Sequence, residues 1–510
     1  MTLRVDVRTT VALLGSVLKL LAVPLVLPLG TALVYGEPVL PFLATMAVAL
    51  VAGVALERLR PDPEIDVAEG FLFVGLAWIV VPLLGTLPYL LAGDGTVAHP
   101  TNALFESMSG FTTTGATVLG DISFDTHSRS ILMWRQLTQW LGGMGIVVLM
   151  VAILPELGAG GAQLVESESP GLEIEKLTPR IAETARALWL IYAGFTVVLA
   201  ALLYGLHVGG YAPEMDLYNA VAHALTTMPT GGFSPEARSI EPFAPVVQWV
   251  ITLFMVIAGT NFALFWHASR GEPGRLTRNP EFRTYLFAIA GVGALGAVLL
   301  FVGAGLAESP AGIPTIPGNP EHALRQGLFQ AVAIVTTTGY ASMDFNTWST
   351  PAQYVLLFAM FLGGSAGSAA GSVKIIRWYV VLASIHRELF TTGRPSAVRP
   401  VRLGKEVLDE DTVRGVLVFT LLFLVFFFVA TGLLFFDVVR TGASLTLLEA
   451  TSATVAILGN VGPGFGVVGP MNGYVGFSDP AKLFMVFLMW IGRLEIVSVL
   501  VLLTPSFWRS

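Results

Sequence analysis

Stretches of mostly apolar residues, each near the roughly 20 residues that cross a bilayer core about 30 Å thick, recur along the whole chain between short polar connections. They fall at 11–34, 38–56, 67–91, 130–153, 181–206, 243–268, 282–306, 351–383, 411–438 and 480–503, which predicts ten membrane-spanning helices. With 54% hydrophobic and 12% charged residues among 510 and a mean hydropathy of +0.74, a soluble globule has nowhere to bury this surface. The fold class is therefore an all-α integral membrane protein. The first stretch follows Arg4 and Arg8 as a secretory signal would, but it outlasts the roughly 7–15-residue apolar run of a signal, which predicts a retained helix. A net charge of −7 without a large basic patch argues against a nucleic-acid partner. The lack of cysteine removes disulfides, thiolate metal sites and cysteine nucleophiles together.

Orientation follows from the basic residues. With the N-terminus inside, Arg58, Arg60, Lys176, Arg180, Arg270, Arg275, Arg278, Arg283, Arg387, Arg394, Arg399, Arg402 and Lys405 fall on the inner side, against Arg129, Arg238, Arg325 and Arg440 outside. Both termini are then expected in the cytoplasm. Four further apolar segments, roughly 100–114, 216–230, 321–338 and 444–461, are too short to span, and each ends in a Thr/Gly or Asn/Gly cluster. They read as half-helices that re-enter from the outer face.

Self-similarity at a period of roughly 110 residues exposes the building unit, a helix, a half-helix and a second helix. Phe105-Glu-Ser-Met-Ser-Gly-Phe-Thr-Thr-Thr-Gly115 aligns with Phe329-Gln-Ala-Val-Ala-Ile-Val-Thr-Thr-Thr-Gly339. Ala224-Leu-Thr-Thr-Met-Pro-Thr-Gly231-Gly-Phe-Ser and Ala456-Ile-Leu-Gly-Asn-Val-Gly462-Pro-Gly are looser copies. The division is a leading hairpin at 1–60 and four units at 61–158, 159–270, 271–390 and 391–510, arranged with pseudo-fourfold symmetry. Irregular backbone at membrane depth is tolerated only where protein buries it or water reaches it. One Thr-Thr-Gly is commonly a helix cap or turn; four in register suggest a lined cavity. A half-helix entering from outside aims its partly negative C-terminus at the membrane centre, which favours cations. The glycine after it lets carbonyl oxygens point at one axis and replace an ion's water shell. In the fourth copy Gly459 is an alternative to Gly462, and Asn460-Val461-Gly462 is the better match.

The chain resembles the Trk/Ktr/HKT superfamily of potassium transporters, and most closely the Trk-type membrane subunits, over nearly its whole length. The resemblance rests on Phe111-Thr-Thr-Thr-Gly-Ala-Thr117, Lys176-Leu-Thr-Pro-Arg-Ile-Ala-Glu-Thr-Ala185, Thr230-Gly-Gly-Phe-Ser234, Thr336-Thr-Thr-Gly-Tyr340, Asn460-Val-Gly-Pro-Gly464 and Ile491-Gly-Arg-Leu-Glu-Ile496. It implies potassium as the transported ion, with no organic cofactor in this chain. Its filter glycines map to Gly115, Gly231, Gly339 and Gly462, preceded by Thr113, Thr114, Pro229, Thr230, Thr337, Thr338, Asn460 and Val461. Sodium-passing relatives tend to have serine where Gly115 stands, which favours potassium here. Pro229 and the Asn460-Val461 pair depart from the pattern and leave coordination on two sides open. The resemblance also implies a homodimer in the plasma membrane of a prokaryotic cell, docked on separate cytoplasmic RCK-type subunits that bind nucleotides.

Inside the span at 351–383 lies Gly363-Gly-Ser-Ala-Gly-Ser-Ala-Ala-Gly-Ser372, followed by Lys374 and Arg377. Glycine costs about 1 kcal/mol per residue in a helix interior, so Gly363, Gly364, Gly367 and Gly371 predict a break there. Close helix packing through small residues is the blander alternative. In the resemblance this stretch corresponds to an intramembrane gating loop. A phosphate-binding loop is excluded because Gly367-Ser-Ala-Ala-Gly-Ser-Val-Lys374 lacks the Gly-Lys-Ser/Thr ending. Arg493 sits in the last span, where an unpaired charge costs about 2.5–3.5 kcal/mol. Glu495, two residues on, does not share its helix face, so Arg493 is expected beneath the filter, restraining the glycine-rich loop. His223 reads as a packing or hydrogen-bonding residue rather than a metal ligand. Glu106 either steers cations or bonds neighbouring backbone. The acidic loop 166–176 reads as solvated, with contact to a cytoplasmic partner as the alternative. A sodium-conducting or ion-coupled transporter of the same fold is the main rival. An intramembrane enzyme lacks a catalytic constellation, and a scaffold needs no aligned breaks.

Overall fold

The computed structural model describes residues 5–59, 67–145, 181–307, 316–394, 396–404 and 406–508. The end of the span at 130–153, the acidic loop 166–176, Lys176 to Arg180, Arg60 and Lys405 lie outside them. In chain order the helices are α1 (Val7–Leu21), α2 (Val26–Tyr35), α3 (Leu40–Glu57), α4 (Val67–Gly85), α5 (Leu87–Ala92), α6 (Pro100–Phe111) and α7 (Arg129–Gly143). Then come α8 (Ile181–Val208), α9 (Leu217–Thr227), α10 (Pro245–Ala258), α11 (Phe262–Ser269), α12 (Gly274–Arg278), α13 (Pro280–Phe301), α14 (Pro320–Val335), α15 (Thr350–Ala359) and α16 (Ile375–Thr392). A two-stranded hairpin, β1 (Arg402–Leu403) and β2 (Glu406–Val407), precedes α17 (Glu410–Thr441), α18 (Leu447–Leu458), α19 (Asp479–Arg493), α20 (Ile496–Leu503) and α21 (Pro505–Trp508).

The distribution of polarity is that of a membrane protein. Leu33, Val51, Phe287, Phe428 and Phe436 are each at least 68% exposed, whereas Glu106, Thr112, Thr114, Gln139, His223, Thr230 and Asn460 are fully buried. Apolar side chains face outward where hydrocarbon would solvate them, and hydrogen-bonding groups gather at the centre. Among the described residues six helices are long and apolar enough to cross a membrane, or up to eight if each of two bent pairs is one span.

Two expected straight spans are sharply bent. The stretch 243–268 divides into α10 and α11 at 94°, and 480–503 into α19 and α20 at 110°. Gly259 ends α10, and the Asn261 side chain accepts from Ala263 N at 2.9 Å to start α11. In the second bend Glu495 holds φ +63°, which no right-handed helix accommodates. The span expected at 351–383 is likewise two helices, with α15 ending before the glycine-rich stretch and α16 beginning after it, so the expected break is present.

The four short segments are helices with legible starts. The Asp216 and Asn319 side chains accept from Asn219 N and His322 N, and Thr446 with Glu449 forms a capping box. Pro100 and Pro320 occupy first-turn positions, where the missing N–H costs nothing. Helix α6 packs between α7 and α19, α9 against α7, and α14 against α10 and α13, so each of these short helices touches an earlier or later segment of the chain beside its own flanking helix.

At the leading end α1 and α3 approach so closely that a Cβ on Gly53 would lie 2.7 Å from Gly15 O, and one on Gly15 would lie 2.5 Å from Gly53 O. Beside this contact Lys19 pairs with Glu57, which also accepts from Ser16 Oγ at 2.7 Å. Gly53→Leu is expected to separate the two helices and cost about 1–3 kcal/mol by overpacking. Thermal unfolding of detergent-purified protein would register this as a lower midpoint.

Candidate functional site

Each short helix terminates in a residue whose backbone turns left-handed. Thr113, Thr230, Thr337 and Asn460 have φ of +53°, +55°, +56° and +52°. Such values are uncommon for residues other than glycine. Each donates its N–H to the carbonyl three residues back, Gly110, Thr227, Ile334 and Ile457, at 3.0, 3.0, 3.0 and 3.2 Å. Two residues further on stands a glycine with positive φ: Gly115 (+78°), Gly232 (+78°), Gly339 (+72°) and Gly462 (+100°). Gly231 is not among them, so the second triplet is Thr230-Gly231-Gly232, one residue later than the sequence alignment. Pro229 then occupies the place of Thr112, Thr336 and Gly459, at the end of the helix. Gly459 has φ −84° and caps α18, leaving Gly462 in the shared position.

These glycines close a ring. A Cβ on Gly115 would strike Gly231 O, one on Gly232 would strike Thr338 O, one on Gly339 Val461 O, and one on Gly462 Thr114 O, all below 3.0 Å. Each glycine thus faces the carbonyl of the residue before the next loop's glycine, and the fourth contact returns to the first loop. All four glycines line a small cavity of about 50 Å³, together with residues of the segments that leave them, such as Thr117, Ser234 and Pro463. Asn460 Nδ2 bonds Thr114 Oγ1 at 2.8 Å and ties the fourth loop to the first. Tyr340 OH bonds Thr226 and ties the third to the second.

Behind each loop a polar residue of its short helix holds the chain that leaves the glycine. Glu106 accepts from Val118 N at 2.8 Å and Thr117 Oγ1 at 2.9 Å. His223 Nε2 lies 3.0 Å from Ser234 Oγ and its Nδ1 lies 2.8 Å from Asn219 O, so both nitrogens are engaged. Gln330 Oε1 accepts from Ser342 N, and Ser452 Oγ accepts from Phe465 N, each at 3.0 Å. Two α7 side chains that sequence reasoning passed over reinforce the second loop. Gln139 donates to Gly231 O at 2.7 Å and accepts from Phe233 N at 3.0 Å. Arg135 donates to Glu106 at 2.6 Å and to Ser234 O at 2.9 Å, with its guanidinium 3.5 Å from the centre of the Phe233 ring. Glu106 therefore bonds protein on every side, and a polar residue inside an apolar span was the signal for both α7 residues.

On the opposite side of the ring lies the glycine-rich stretch. Its ends are pinned together by Gly363 N donating to Val373 O at 2.8 Å. Its middle reaches the ring: Gly371 N donates to Thr337 Oγ1 at 2.7 Å, and a Cβ on Gly371 would lie 2.5 Å from Gly459 O. Gly367 takes φ +70° and its carbonyl accepts from Phe262 N at 3.2 Å, while Ser365 N donates to Gly259 O, so Gly364 and its neighbours lie on the α10–α11 bend. Arg493 Nη1 donates to Ala369 O at 2.8 Å and to Thr113 Oγ1 at 3.2 Å, and Nη2 to Gly142 O at 3.1 Å. Lys374 Nζ bonds Ala370 O. Glu495 does not pair with Arg493; both its oxygens accept from Arg377 of α16, at 2.8 and 2.7 Å.

Residues 41–510 match the family described as TrkH, cation transport protein. The chain is 38% identical to the Trk system potassium uptake protein TrkH of Vibrio parahaemolyticus and 34% to that of Escherichia coli K12, covering 99% of each chain in both cases. It is also similar to the crystal structure of the potassium transporter TrkH from Vibrio parahaemolyticus, with a TM-score of 0.83 and 33% identity over 98% of this chain and 99% of that one.

Removing one partner of a buried ion pair costs about 3–5 kcal/mol. Arg135→Met is therefore expected to destabilise the protein strongly, and Glu106→Gln in the same chain to recover part of the loss. A double-mutant cycle of unfolding midpoints checks the coupling. Gly232→Ala is expected to be more damaging than Gly231→Ala, because the first meets a backbone carbonyl in a left-handed conformation and the second meets only the Gln139 side chain. Comparing cation flux through the two variants in liposomes tests the corrected register.

Proposed function

Because the chain belongs to the TrkH family of cation transport proteins, we propose that it is the membrane subunit of a Trk system and passes potassium inward through one pore at the ring of four loops. The family is one of ion transporters, not enzymes, and the protein crosses its membrane many times. The observation that carries the reading is the closed cycle of glycine-to-carbonyl contacts among Gly115, Gly232, Gly339 and Gly462. Backbone held this way turns carbonyl oxygens of the triplets 113–115, 230–232, 337–339 and 460–462 toward one axis, where they substitute for the water around a dehydrated cation. The C-termini of α6, α9, α14 and α18 add about half a negative charge each, which makes the site favourable to cations. Hydroxyls of Thr113 and Thr337 instead link the ring to Arg493 and Gly371 beneath it.

The loop at 361–374 obstructs the path on the inner side of the ring, and Arg493 both tethers it and repels cations. Gly363, Gly364, Gly367 and Gly371 let its backbone pack against Val373, Gly259 and Gly459 where side chains would not fit. Entry of potassium is driven by the membrane potential, which supplies about 2.3 kcal/mol per monovalent charge for each 100 mV. The four units, each a helix, half-helix and helix, follow a leading hairpin and make ten spans with both termini in the cytoplasm. Two copies in the plasma membrane dock on RCK-type nucleotide-binding subunits that move the loop.

The deciding experiment is the reversal potential of the purified protein in liposomes under opposed potassium and sodium gradients. The wild type is expected to follow potassium and Gly115→Ser to lose that preference, since the added side chain meets Gly231 O. A wild-type potential that follows sodium would turn the reading to a sodium-conducting relative. Arg493→Ala is expected to raise single-channel conductance, and unchanged conductance and gating would remove Arg493 from the gate.

A further inference from the structure

The glycine-rich loop is gripped by two side chains of distant helices, an arginine that donates to it and a glutamate that accepts from it. On one side Arg493 donates to the carbonyl of Ala369 at 2.8 Å. On the other, Glu281 of α13 accepts the N–H of Ala366 at 2.6 Å. Glu281 is 6% exposed. An acid in the first turn of a helix ordinarily complements the helix dipole from an exposed position. That role calls for neither burial nor a bond to a loop in the middle of the membrane protein. A carboxylate this buried costs stability unless its oxygens are used, and the bond that Ala366 makes to it is one use. On the sequence Glu281 sits in Arg278-Asn-Pro-Glu-Phe-Arg283 and reads as part of an inner-loop charge cluster, so only the tertiary contact separates it from its neighbours.

We propose that Glu281 is a positioning residue that holds the loop closed: its carboxylate and the Arg493 guanidinium form a clasp, one taking a loop N–H and the other giving to a loop carbonyl. The inference rests on the reading of 361–374 as the obstruction in the pathway and adds how that obstruction is retained. The clasp has a definite location. Arg493 belongs to the end of α19, next to the ring, whereas Glu281 belongs to the start of α13, preceded by Pro280. Pro280 lies beside the hairpin, where a Cβ on Gly404 would sit 3.4 Å from Pro280 Cγ. The grip on Ala366 is therefore the one that a displacement of the hairpin, or of the short α12 before Pro280, reaches first. Release at Glu281 would free the loop on that side while Arg493 still bound Ala369.

Potassium flux into liposomes, with the purified full chain and no partner subunit, tests this by its sign. Glu281→Asp shortens the side chain by one methylene and is expected to raise basal flux by about tenfold, the effect of losing one buried hydrogen bond. Glu281→Ala is expected to do the same, and Glu281→Gln, which keeps an acceptor oxygen at the same reach, to stay near wild type. Damage to the fold would lower flux in all three, and Glu281→Asp keeps the test open if the alanine variant does not fold. Flux unchanged in Glu281→Asp while Arg493→Ala raises it would overturn the clasp and leave the gate reading standing. Flux unchanged in both would overturn the gate reading itself. A glutamine variant as leaky as aspartate would show that the hydrogen bond to Ala366 is not what holds the loop.

Discussion

A backbone carbonyl lying where a side chain would otherwise begin is the contact on which the centre of this protein depends. Four irregular segments sit deep inside a chain whose outer surface is hydrocarbon-like, and peptide groups left unbonded there cost several kcal/mol each. The structure answers this in two directions. Loop N–H groups turn back onto the last turn of the preceding short helix, as Thr114 N does to Ser109 O and Val461 N to Ala456 O. The carbonyls of Thr114, Gly231, Thr338 and Val461 lie against one another's glycines, which approach closely because no Cβ intervenes. The four left-handed residues before the glycines are part of the same solution, since a right-handed continuation would extend the helix and lose the ring.

Charge is used in this protein to join segments far apart in sequence. Arg135 links α7 to Glu106 of α6 and to Ser234 beyond the second loop. Arg377 links α16 to Glu495 at the bend of the last span, with Phe419 of α17 3.7 Å beneath the guanidinium. Arg493 joins α19 to the glycine-rich loop and to the end of α7. A buried ion pair is weak evidence of net stability, because desolvation offsets much of the attraction. Its firmer consequence is geometric. Each pair is satisfied in one arrangement of the helices, and a shift of either helix leaves a charge unpaired.

Several of these features were legible in the residues and several were not. The short helices were marked by their length and by the Thr/Gly or Asn/Gly clusters that end them, and the break at 361–374 by four glycines in a span. The bend after Gly259 had a signal in Gly259-Thr-Asn261, a stop followed by a capping residue, but hydropathy alone reads through it. The bend at Glu495 had no local signal, since glutamate is a good helix former, yet its φ is +63° and its side chain pairs with Arg377. The second triplet was misaligned by one because Thr230-Gly-Gly232 offers two glycines, and either accepts a positive φ.

Composition and hydropathy by themselves determined that the chain lies in a membrane, and the repeated Thr-Gly endings determined that it has four interrupted segments of one kind. Both are properties of residues within a turn or two of each other, where solvent preference and backbone freedom act locally. Which glycine of a pair faces a carbonyl, which acid meets Arg135, Arg377 or the amide of Ala366, and that the last span bends at Glu495 were decided only when helices distant in sequence came together. Those choices depend on distances of 3 Å or less between segments separated by as many as 346 residues, as between Asn460 and Thr114. No pattern along one segment carries that information, because each partner is chosen by packing of the whole ring.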